Sequence, residues 1–216
     1  MTTTRELALV TGGSAGIGYA LAHQCARNGF DLIITGAGSR VHESARSLAS
    51  ATGAQVTPVQ SDLRTAEGVD QVWKTVTDTG RPLTIAMLNA GVAIGGAFVD
   101  TDLAEEVAAI ELNVISQVRL AKPIVQDGTG VTVTALLPGA TATEFHQRAG
   151  MGNTRFGDNS WKNDPEVVAR KGFTALLAGR DHVIGGDRAA WRAAVINKFL
   201  PETTKAARQA KQARPQ

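Results

Sequence analysis

Short runs of apolar residues alternate along the chain with longer segments in which apolar residues recur every three or four positions. The short runs are typical of buried strands, and the wider spacing is typical of helices with one buried face. The alternation therefore predicts right-handed strand-helix-strand units around a parallel sheet that helices cover on both faces. The predicted strands are residues 7–10, 32–35, 55–60, 84–88, 131–137 and 182–184.

Residues that start or stop helices bound the segments between these strands. Gly29 and Gly179 follow periodic segments and end two helices, and Asp164 followed by Pro165 starts another. Pro123 is expected to break a long helix, because proline removes a helical hydrogen bond. The predicted helices cover residues 17–28, 41–51, 66–79 and 103–125, the segment between Asp164 and Gly179, and a segment through Trp191 and Phe199.

Length and composition fit one sizeable α/β domain. The chain has 216 residues, of which 43% are hydrophobic and 19% are charged, and this is enough to bury a substantial core. We therefore expect a single domain over residues 1–216. The polar, glycine-containing residues 146–163 predict a mobile loop of the kind that covers a substrate.

The formal net charge is only +2, and much of the basic excess lies near the C-terminal end, with residues 201–216 forming a basic tail. We expect this tail to be solvated, and we expect no nucleic-acid partner, because aromatic residues do not interleave with the basic run. The basic residues in question are Lys198, Lys205, Arg208, Lys211 and Arg214.

The single cysteine, Cys25, excludes an intrachain disulfide and indicates a reducing compartment. The polar residues 1–6 lack the apolar stretch of a secretory signal. No apolar run approaches the length that spans a membrane. The sequence therefore predicts a cytoplasmic protein with no membrane partner.

A glycine-rich loop, Thr11-Gly12-Gly13-Ser14-Ala15-Gly16-Ile17-Gly18, lies between the first predicted strand and the first predicted helix. Glycines let a backbone turn tightly and approach a pyrophosphate, and the positive end of the helix dipole favours its charge. A strand, a loop of this kind and a helix form the setting of a dinucleotide-phosphate site. The pattern predicts that the chain binds a nicotinamide nucleotide.

Further motifs follow in an order that resembles the short-chain dehydrogenase/reductase family: Asp62-Leu63, Asn89-Ala90-Gly91, Asn113 and Pro138-Gly139. The resemblance implies a doubly wound Rossmann-type parallel sheet and spans nearly the whole chain. It implies a pyrophosphate near the glycines, adenine at Asp62 and Leu63, and nicotinamide toward Thr143. The cofactor-binding residues it implies are Thr11, Gly12, Ser14, Gly16, Ile17, Gly18, Asp62, Leu63, Asn89, Ala90, Gly91, Pro138, Gly139 and Thr143.

Each motif also has a simpler interpretation. Asp62 fits a helix cap, the segment Asn89-Ala90-Gly91 a turn after a strand, and Thr143 a loop hydroxyl. Their occurrence together favours the family over these alternatives.

Cofactor choice depends on the segment after the second strand, where an acidic residue would bind the ribose hydroxyl of NAD. Residues 35–40 contain no acidic residue and end in Ser39 and Arg40. This favours NADP, with Arg40 beside the 2′-phosphate. The alternative is that Arg40 is an ordinary surface residue that opens a helix.

In the family, a strand ending near a serine and a helix carrying Tyr-x-x-x-Lys precede the strand before Pro-Gly. That unit belongs between Gln126 and Val131, where this chain has only residues 127–130. The tyrosine moves the hydroxyl proton during hydride transfer, and the lysine lowers its pKa. Of the family's catalytic residues, only Asn113 has a match here. The fold is therefore predicted to be one strand-helix unit shorter than usual, which also disrupts the family's oligomer interface.

Three other side chains are candidate substitutes for the missing acid. Tyr19, the only tyrosine, lies in the phosphate-loop helix and is expected to pack against the sheet. Lys122 is expected to be solvated. His146 is the best substitute, since histidine donates protons near neutral pH, although an ordinary loop histidine is the simpler interpretation.

We also expect residues 131–137 to take the place of the lost strand, beside residues 84–88, because their continuous apolar run suits a buried parallel strand. The resulting hypothesis is a shortened family member that binds NADP with impaired or absent catalysis. The alternatives are an active NADP-dependent oxidoreductase of alcohols or carbonyls that uses substitute residues, a non-catalytic regulatory subunit, and a poorly folding deletion product.

Overall fold

A computed structural model describes residues 5–214 of the chain. The chain divides into two compact units. The first unit comprises Met1–Gly91 and Val107–Val131, and the second comprises Val92–Glu106 and Thr132–Gln216. That residues 1–216 form a single domain stays a prediction.

The first unit is built on a four-stranded parallel sheet in the order β3-β2-β1-β4. β1 at its centre is buried along almost its whole length, as is β2, which explains their nearly uninterrupted apolar sequences. Pro58 lies in β3 at one border of the sheet, where a missing N–H costs no ladder hydrogen bond. The strands are β1 Glu6–Val10, β2 Phe30–Gly36, β3 Val56–Gln60 and β4 Leu83–Met87.

Helices cover both sides of this sheet, which is Rossmann-like as predicted. Gly53 ends α2 in the left-handed conformation, and the Thr65 side chain caps α3 by accepting a hydrogen bond from the Gly68 N–H. The helices of this unit are α1 Gly16–Arg27, α2 Arg40–Thr52 and α3 Ala66–Asp78, followed by the helical segment around Asn113.

One apolar cluster holds this unit together. Leu9 and Ile33 contribute from the central strands and Val72 from α3, and all three are fully buried. Leu120, from the helical segment around Asn113, is fully buried in the same cluster. That segment is therefore part of the core and fixes the place of Asn113.

The helical segment around Asn113 differs from the prediction. It consists of α4 Leu103–Ile110, a π-helical turn Glu111–Ile115 and α5 Ser116–Asp127. The predicted break near Pro123 is wrong, since α5 continues through that residue to its end. One proline removes a single helical hydrogen bond, and the neighbouring turns hold α5 together. The irregularity lies instead in the π turn, which contains Asn113.

The second unit contains a two-stranded parallel sheet in which β5 Ala135–Pro138 pairs with β6 His182–Gly185. The Asp164 side chain caps the following α7 by accepting from the Glu166 N–H, with Pro165 in the opening turn as predicted. The helices of this unit are α6 Phe145–Arg148, α7 Pro165–Leu177, α8 Arg188–Phe199 and α9 Glu202–Ala213.

The expectation for residues 131–137 is wrong. The strand there begins only at Ala135, and its partner is β6 in a sheet distinct from that of β1 to β4. The predicted segment, residues 131–137, is also not buried on both faces, since Val133 is 76% and Leu137 is 51% exposed. Leu136 points at Gly172 of α7, and alternate side chains of an extended segment point the other way.

Residues 146–163 form a series of hydrogen-bonded turns. The buried Thr154 hydroxyl donates to the Met151 carbonyl and accepts from the Phe156 N–H. Asn163 donates its N–H to the Ala140 carbonyl at 2.8 Å, which joins the segment's end to the loop after β5. The mobility of this segment stays a prediction.

Candidate nucleotide site

Thr11 joins the ends of the two neighbouring strands β1 and β4. It is fully buried, and its backbone N–H donates to the Met87 carbonyl at 3.0 Å. Its hydroxyl accepts from the backbone N–H groups of Asn89, at 2.9 Å, and Ala90, at 3.0 Å. Because the carboxyl ends of parallel strands lie at one edge of a sheet, Thr11 holds two of the predicted binding loops together.

Gly12 and Gly18 allow the loop and helix α1 to approach each other closely. Gly12 has φ 66°, a left-handed conformation that favours glycine. A Cβ added to Gly18 would overlap the Gly12 carbonyl oxygen and the Asn89 side-chain nitrogen. That amide nitrogen in turn donates to the Thr11 carbonyl at 3.1 Å. The loop thus forms a backbone cradle that side chains would fill.

The first turn of α1 lies open to an anion. Ala15 precedes the helix without a side-chain capping hydrogen bond, and the first turn contains no acidic residue. Gly16 begins the helix at φ 56°, and Ile17 follows it. Ser14 is held by its carbonyl, which accepts from the Ser44 hydroxyl at 3.0 Å. Helix N–H groups and the positive end of the dipole together bind phosphate well.

The end of β2 lies beside the same loop. The Gly13 N–H donates to the Thr35 carbonyl at 2.9 Å. The Thr35 hydroxyl is buried and, among residues 5–214, has no hydrogen-bond partner. Ser39 and Arg40 follow as exposed residues, with Arg40 opening α2. The segment between β2 and α2 thus contains no acidic residue.

Asp62 and Leu63 follow β3 and take different roles. The Asp62 carboxylate accepts from the Arg64 guanidinium at 2.6 to 3.0 Å, and this hydrogen bonding lowers the pKa of Asp62. Thr65, not Asp62, caps the next helix, so the helix-cap interpretation is wrong. The side chain of Leu63 is buried in the core, which leaves its main chain for any contact with adenine.

Asn113 stands beside the loop after β4. A Cβ added to Gly91 would lie 3.1 Å from the Asn113 Oδ1 atom. The side chain of Gln117, one helical turn later, donates to the Ala90 carbonyl at 3.0 Å. Gln117 was missed from the sequence, although its spacing of four residues from Asn113 was a usable signal. The π turn thus brings Asn113 to the segment Asn89-Ala90-Gly91.

The remaining predicted contacts, Pro138, Gly139 and Thr143, belong to the second unit. Gly139 donates its N–H to the Gly185 carbonyl at 2.7 Å, and a Cβ on it would lie 2.8 Å from the Ala190 Cβ. The Thr143 hydroxyl accepts from the Phe145 N–H at 3.3 Å, in the manner of a loop hydroxyl that opens α6.

His146 is fixed on several sides within the second unit. Its ring stacks on Phe156 with centroids 5.1 Å apart, and its Nδ1 lies 3.5 Å from the Lys162 ammonium. Burial and the neighbouring Lys162 charge lower the pKa of His146. Burial likewise lowers the pKa of Lys162. The ammonium beside Nδ1 makes that atom the acceptor, so Nε2 carries the proton of the neutral ring. The sequence offered no signal for this pair, because its members are 16 positions apart.

The other candidate acids are Tyr19 and Lys122. Tyr19, on α1, is half-buried, and its hydroxyl lies 3.0 Å from the Ser47 hydroxyl of α2, which is a packing position. Lys122 is exposed near the end of α5. Within residues 5–214 no three His, Cys, Asp or Glu side chains gather into a metal-binding group. Among the same residues, none of the helices combines the length and the apolar character that crossing a bilayer requires.

The chain is similar to known proteins in sequence and in fold. The sequence pattern of the short chain dehydrogenase family matches residues 6–127, which include the glycine loop, Asp62, Asn89 and Asn113. The chain is 32% identical over 116 residues to a 3-dehydrosphinganine reductase of Arabidopsis thaliana, covering 53% of this chain and 34% of the relative. It is 32% identical over 89 residues to an NADP-dependent 3-hydroxy acid dehydrogenase of Salmonella typhi, covering 41% and 35%.

The matches therefore span about a third of the length of these relatives. Solved structures share the fold across more of the chain. A short-chain dehydrogenase of Sphingobium yanoikuyae in complex with NADPH superposes with a TM-score of 0.76 at 23% identity, covering 95% of this chain and 94% of that one. A Burkholderia phymatum relative in complex with NAD gives 0.72 at 16% identity, covering 85% and 90%. The chain belongs to the short chain dehydrogenase family.

Proposed function

We propose that this chain binds a nicotinamide nucleotide and descends from NAD(P)-dependent oxidoreductases. The observation that carries the proposal is the cradle at Gly12 and Gly18, whose closeness excludes side chains and leaves main-chain N–H groups at an uncapped helix start. Such a cradle suits a pyrophosphate. The residues proposed to hold it are Thr11, Gly12, Ser14, Gly16, Ile17 and Gly18, with Asp62, Leu63, Asn89, Ala90 and Gly91 around the rest of the nucleotide.

We propose NADP as the preferred form. Arg40 and Ser39 lie at the end of β2, where a 2′-phosphate would need positive charge and hydrogen-bond donors. The Salmonella relative is named as NADP-dependent and the Sphingobium structure holds NADPH, while the Burkholderia structure holds NAD. The preference for this chain therefore rests on Arg40.

We further propose that catalysis is impaired or absent. A bound nicotinamide supplies or takes the hydride, and the protein must supply a group that moves the hydroxyl proton. Tyr19 is the only tyrosine in the sequence, and its hydroxyl is engaged with Ser47 on α2. Only residues 128–134 separate α5 from β5, too few for a strand and a helix. Asn113 remains as the one match to the family's catalytic residues.

The same proposal extends to the setting of the chain. Cys25 is the only cysteine and is buried, which suits a reducing, cytoplasmic compartment. Val114 and Val118 are exposed on the helical segment that carries Asn113. Apolar helix faces of this kind are normally covered, and the family's second interface helix has no counterpart between α5 and β5, so the oligomer interface is altered in this proposal.

The test is a titration of the purified chain with NADPH and NADH, followed by nucleotide fluorescence, and then a turnover assay over a panel of small carbonyls and alcohols. We expect saturable NADPH binding, weaker NADH binding and little turnover. Arg40→Ala should weaken NADPH binding by about tenfold, since a bound phosphate loses a charge-assisted partner, and leave NADH binding unchanged. Arg46→Ala, an exposed arginine further along α2, is the matched control. An absence of binding to either nucleotide would overturn the proposal.

A second candidate, an active oxidoreductase that uses His146, has one specific observation in its favour. Phe156 and Lys162 fix the His146 ring, and no hydrogen-bond partner of its Nε2 atom is present among residues 5–214. Because the pKa of His146 is lowered, the ring is neutral near pH 7, and its Nε2–H can donate a hydrogen bond to the oxygen of an alcohol or carbonyl substrate. Alcohol oxidation that disappears in His146→Gln while nucleotide binding persists would establish this candidate over the impaired one.

A further inference from the structure

The last two helices of the described chain bury none of their side chains. α8 and α9 have 12 residues each, and no residue of either helix is buried in the part of the chain that the structure describes. Helices of about 12 residues are marginal in water without packing. We call the exposed sides of these two helices, together with the exposed Arg214 that follows them, the C-terminal surface; it covers residues 188–214.

Charge is concentrated on this surface. Residues 188–214 carry seven basic side chains and one acidic side chain, a net of +6 in a chain whose total is +2. The rest of the chain therefore carries a net charge of −4. The single acidic residue, Glu202, is paired with Lys205 at 2.6 Å. The surface is thus a positive face on a chain that is otherwise slightly negative.

Large apolar side chains lie among these charges on α8. Trp191 is 56%, Ile196 is 55% and Phe199 is 84% exposed. Residues three or four positions apart are neighbours on the surface of a helix. Arg188 is therefore a neighbour of Trp191, and Arg192 is a neighbour of Ile196. The apolar and basic groups therefore share one side of α8. Its other side holds alanines, and Ala190 packs near Gly139 and Gly186.

α9 carries smaller apolar residues and, unlike α8, separates them from its basic residues. Ala206, Ala210 and Ala213 recur at helical spacing and share one face, while Arg208 and Lys211 lie on the other. α9 has a small apolar face and a basic face, and it directly follows α8 in the chain, which exposes tryptophan and phenylalanine among basic residues. These are the residue types of helices that lie in a membrane interface. Tryptophan is suited to headgroup depth, and long basic side chains reach from there to lipid phosphates.

We propose that the C-terminal surface binds the surface of a bilayer containing anionic phospholipid. The basic residues are attracted to the lipid phosphates. The apolar contribution comes from burial in the interface of three side chains, Trp191, Ile196 and Phe199. The sequence predicted no membrane partner because no segment is long enough to span a bilayer. That argument does not apply to binding at the surface, which needs only an exposed basic and apolar face.

Nucleic acid is the weaker candidate for this surface. Basic and aromatic groups also suit single strands, but a nucleic acid offers no apolar phase for Ile196 and the half-buried Leu200. A bilayer interface accommodates aliphatic and aromatic side chains together.

The test is sedimentation of the purified chain with vesicles of equimolar phosphatidylserine and phosphatidylcholine, with pure phosphatidylcholine vesicles for comparison. We expect binding to the anionic vesicles that weakens with added salt. Replacing Arg208, Lys211 and Arg214 by Gln should lower partitioning about a hundredfold, since each basic residue near an anionic surface contributes roughly fivefold. Matched replacement of the exposed Arg27, Arg46 and Arg119 by Gln should leave partitioning unchanged.

The apolar contribution is tested separately. Trp191→Ser with Phe199→Ser should lower partitioning about tenfold, because two partly buried aromatic groups are lost from the interface. Phe98→Ser, at another exposed phenylalanine, is the control. Equal binding to neutral vesicles, retention by the triple variant, or binding of single-stranded DNA in place of vesicles would overturn the proposal. So would self-association through this surface in sedimentation velocity that the same variants abolish.

Discussion

Gly18 in α1 lies directly against the carbonyl oxygen of Gly12, so closely that a single methyl group on Gly18 would overlap that oxygen. The contact holds the start of α1 against the loop that precedes it. A residue with a side chain at position 18 cannot make this contact. Glycine is therefore required there for the close packing of two backbone segments. Both glycines belong to the glycine-rich segment that leads from β1 into α1, which is where a nucleotide-binding loop lies.

Gly18→Ala should destabilise the chain by about 1–3 kcal/mol, because the added carbon forces the loop and α1 apart. NADPH binding should fall with it, since the phosphate cradle widens. Urea unfolding and nucleotide fluorescence measure the two effects. Gly38→Ala is the control, because a Cβ at Gly38 would meet no atom within 4 Å. Equal stability of the two variants would contradict the close contact.

Thr11→Val should cost about 1–3 kcal/mol of unfolding free energy. Valine keeps the shape of threonine but leaves the N–H groups of Asn89 and Ala90 without their acceptor. Thr11→Ser, which keeps the hydroxyl, should retain most of the stability. Denaturant unfolding of the three proteins at one pH checks the order. A valine variant as stable as the serine variant would show that these hydrogen bonds contribute little.

The stability of the chain should depend on the protonation of His146. Burial and Lys162 lower the pKa of His146 in the folded chain, below the ordinary value of about 6.5 that applies after unfolding. The unfolded chain thus binds the proton more readily. The contribution is fully present above about pH 6.5 and is lost as the pH falls through the lower, folded value. His146→Gln should flatten this part of the stability profile, measured by urea unfolding between mildly alkaline and mildly acidic pH.

Lys162→Met provides an independent check on the same pair. Removing the ammonium removes one cause of the shift, so the pKa of His146 should move back toward its ordinary value. An NMR titration of the His146 ring protons measures this directly. Lys198→Met, at an exposed lysine on α8, is the control. An unchanged His146 titration in Lys162→Met would mean that the two side chains do not interact in solution.

The Cys25 thiol should be unreactive in the folded chain at neutral pH. Burial raises the pKa of Cys25 to about 12, so almost no thiolate forms, and the thiolate is the reactive species. Its sulfur lies 3.8 Å from the Met87 sulfur, within the first unit. Alkylation followed by mass spectrometry should show slow labelling without denaturant and rapid labelling in urea. Rapid labelling of the folded chain would contradict the burial of α1 against β4.

The strands and helices of the first unit were predictable because their signals are local. Apolar runs marked β1 and β2, and Gly29 and Gly53 stand where α1 and α2 end. The cap at Asp164 was equally readable, since a capping side chain bonds only two or three positions ahead. Such features need no knowledge of the tertiary fold.

The features that the sequence did not reveal all depend on distant partners. β5 pairs with β6, whose residues lie 47 positions further along, and no local pattern distinguishes this from the expected place beside β4. The π turn at Asn113 and the continuation of α5 through Pro123 reflect packing around Leu120 more than propensity. Patterns of apolar residues indicate which side of a helix or strand is buried. They do not indicate which other element packs against that side.

Leu120 also affects how the chain is made. The last strand of the first sheet ends at Met87, yet one fully buried member of the cluster around Val72, Leu120, is added only 33 positions later. At about 5–20 residues per second on the ribosome, that interval is roughly 2–7 s. During those seconds four strands and three helices have emerged with an incomplete core, which is the stage at which a nascent chain binds chaperones and is most open to proteases.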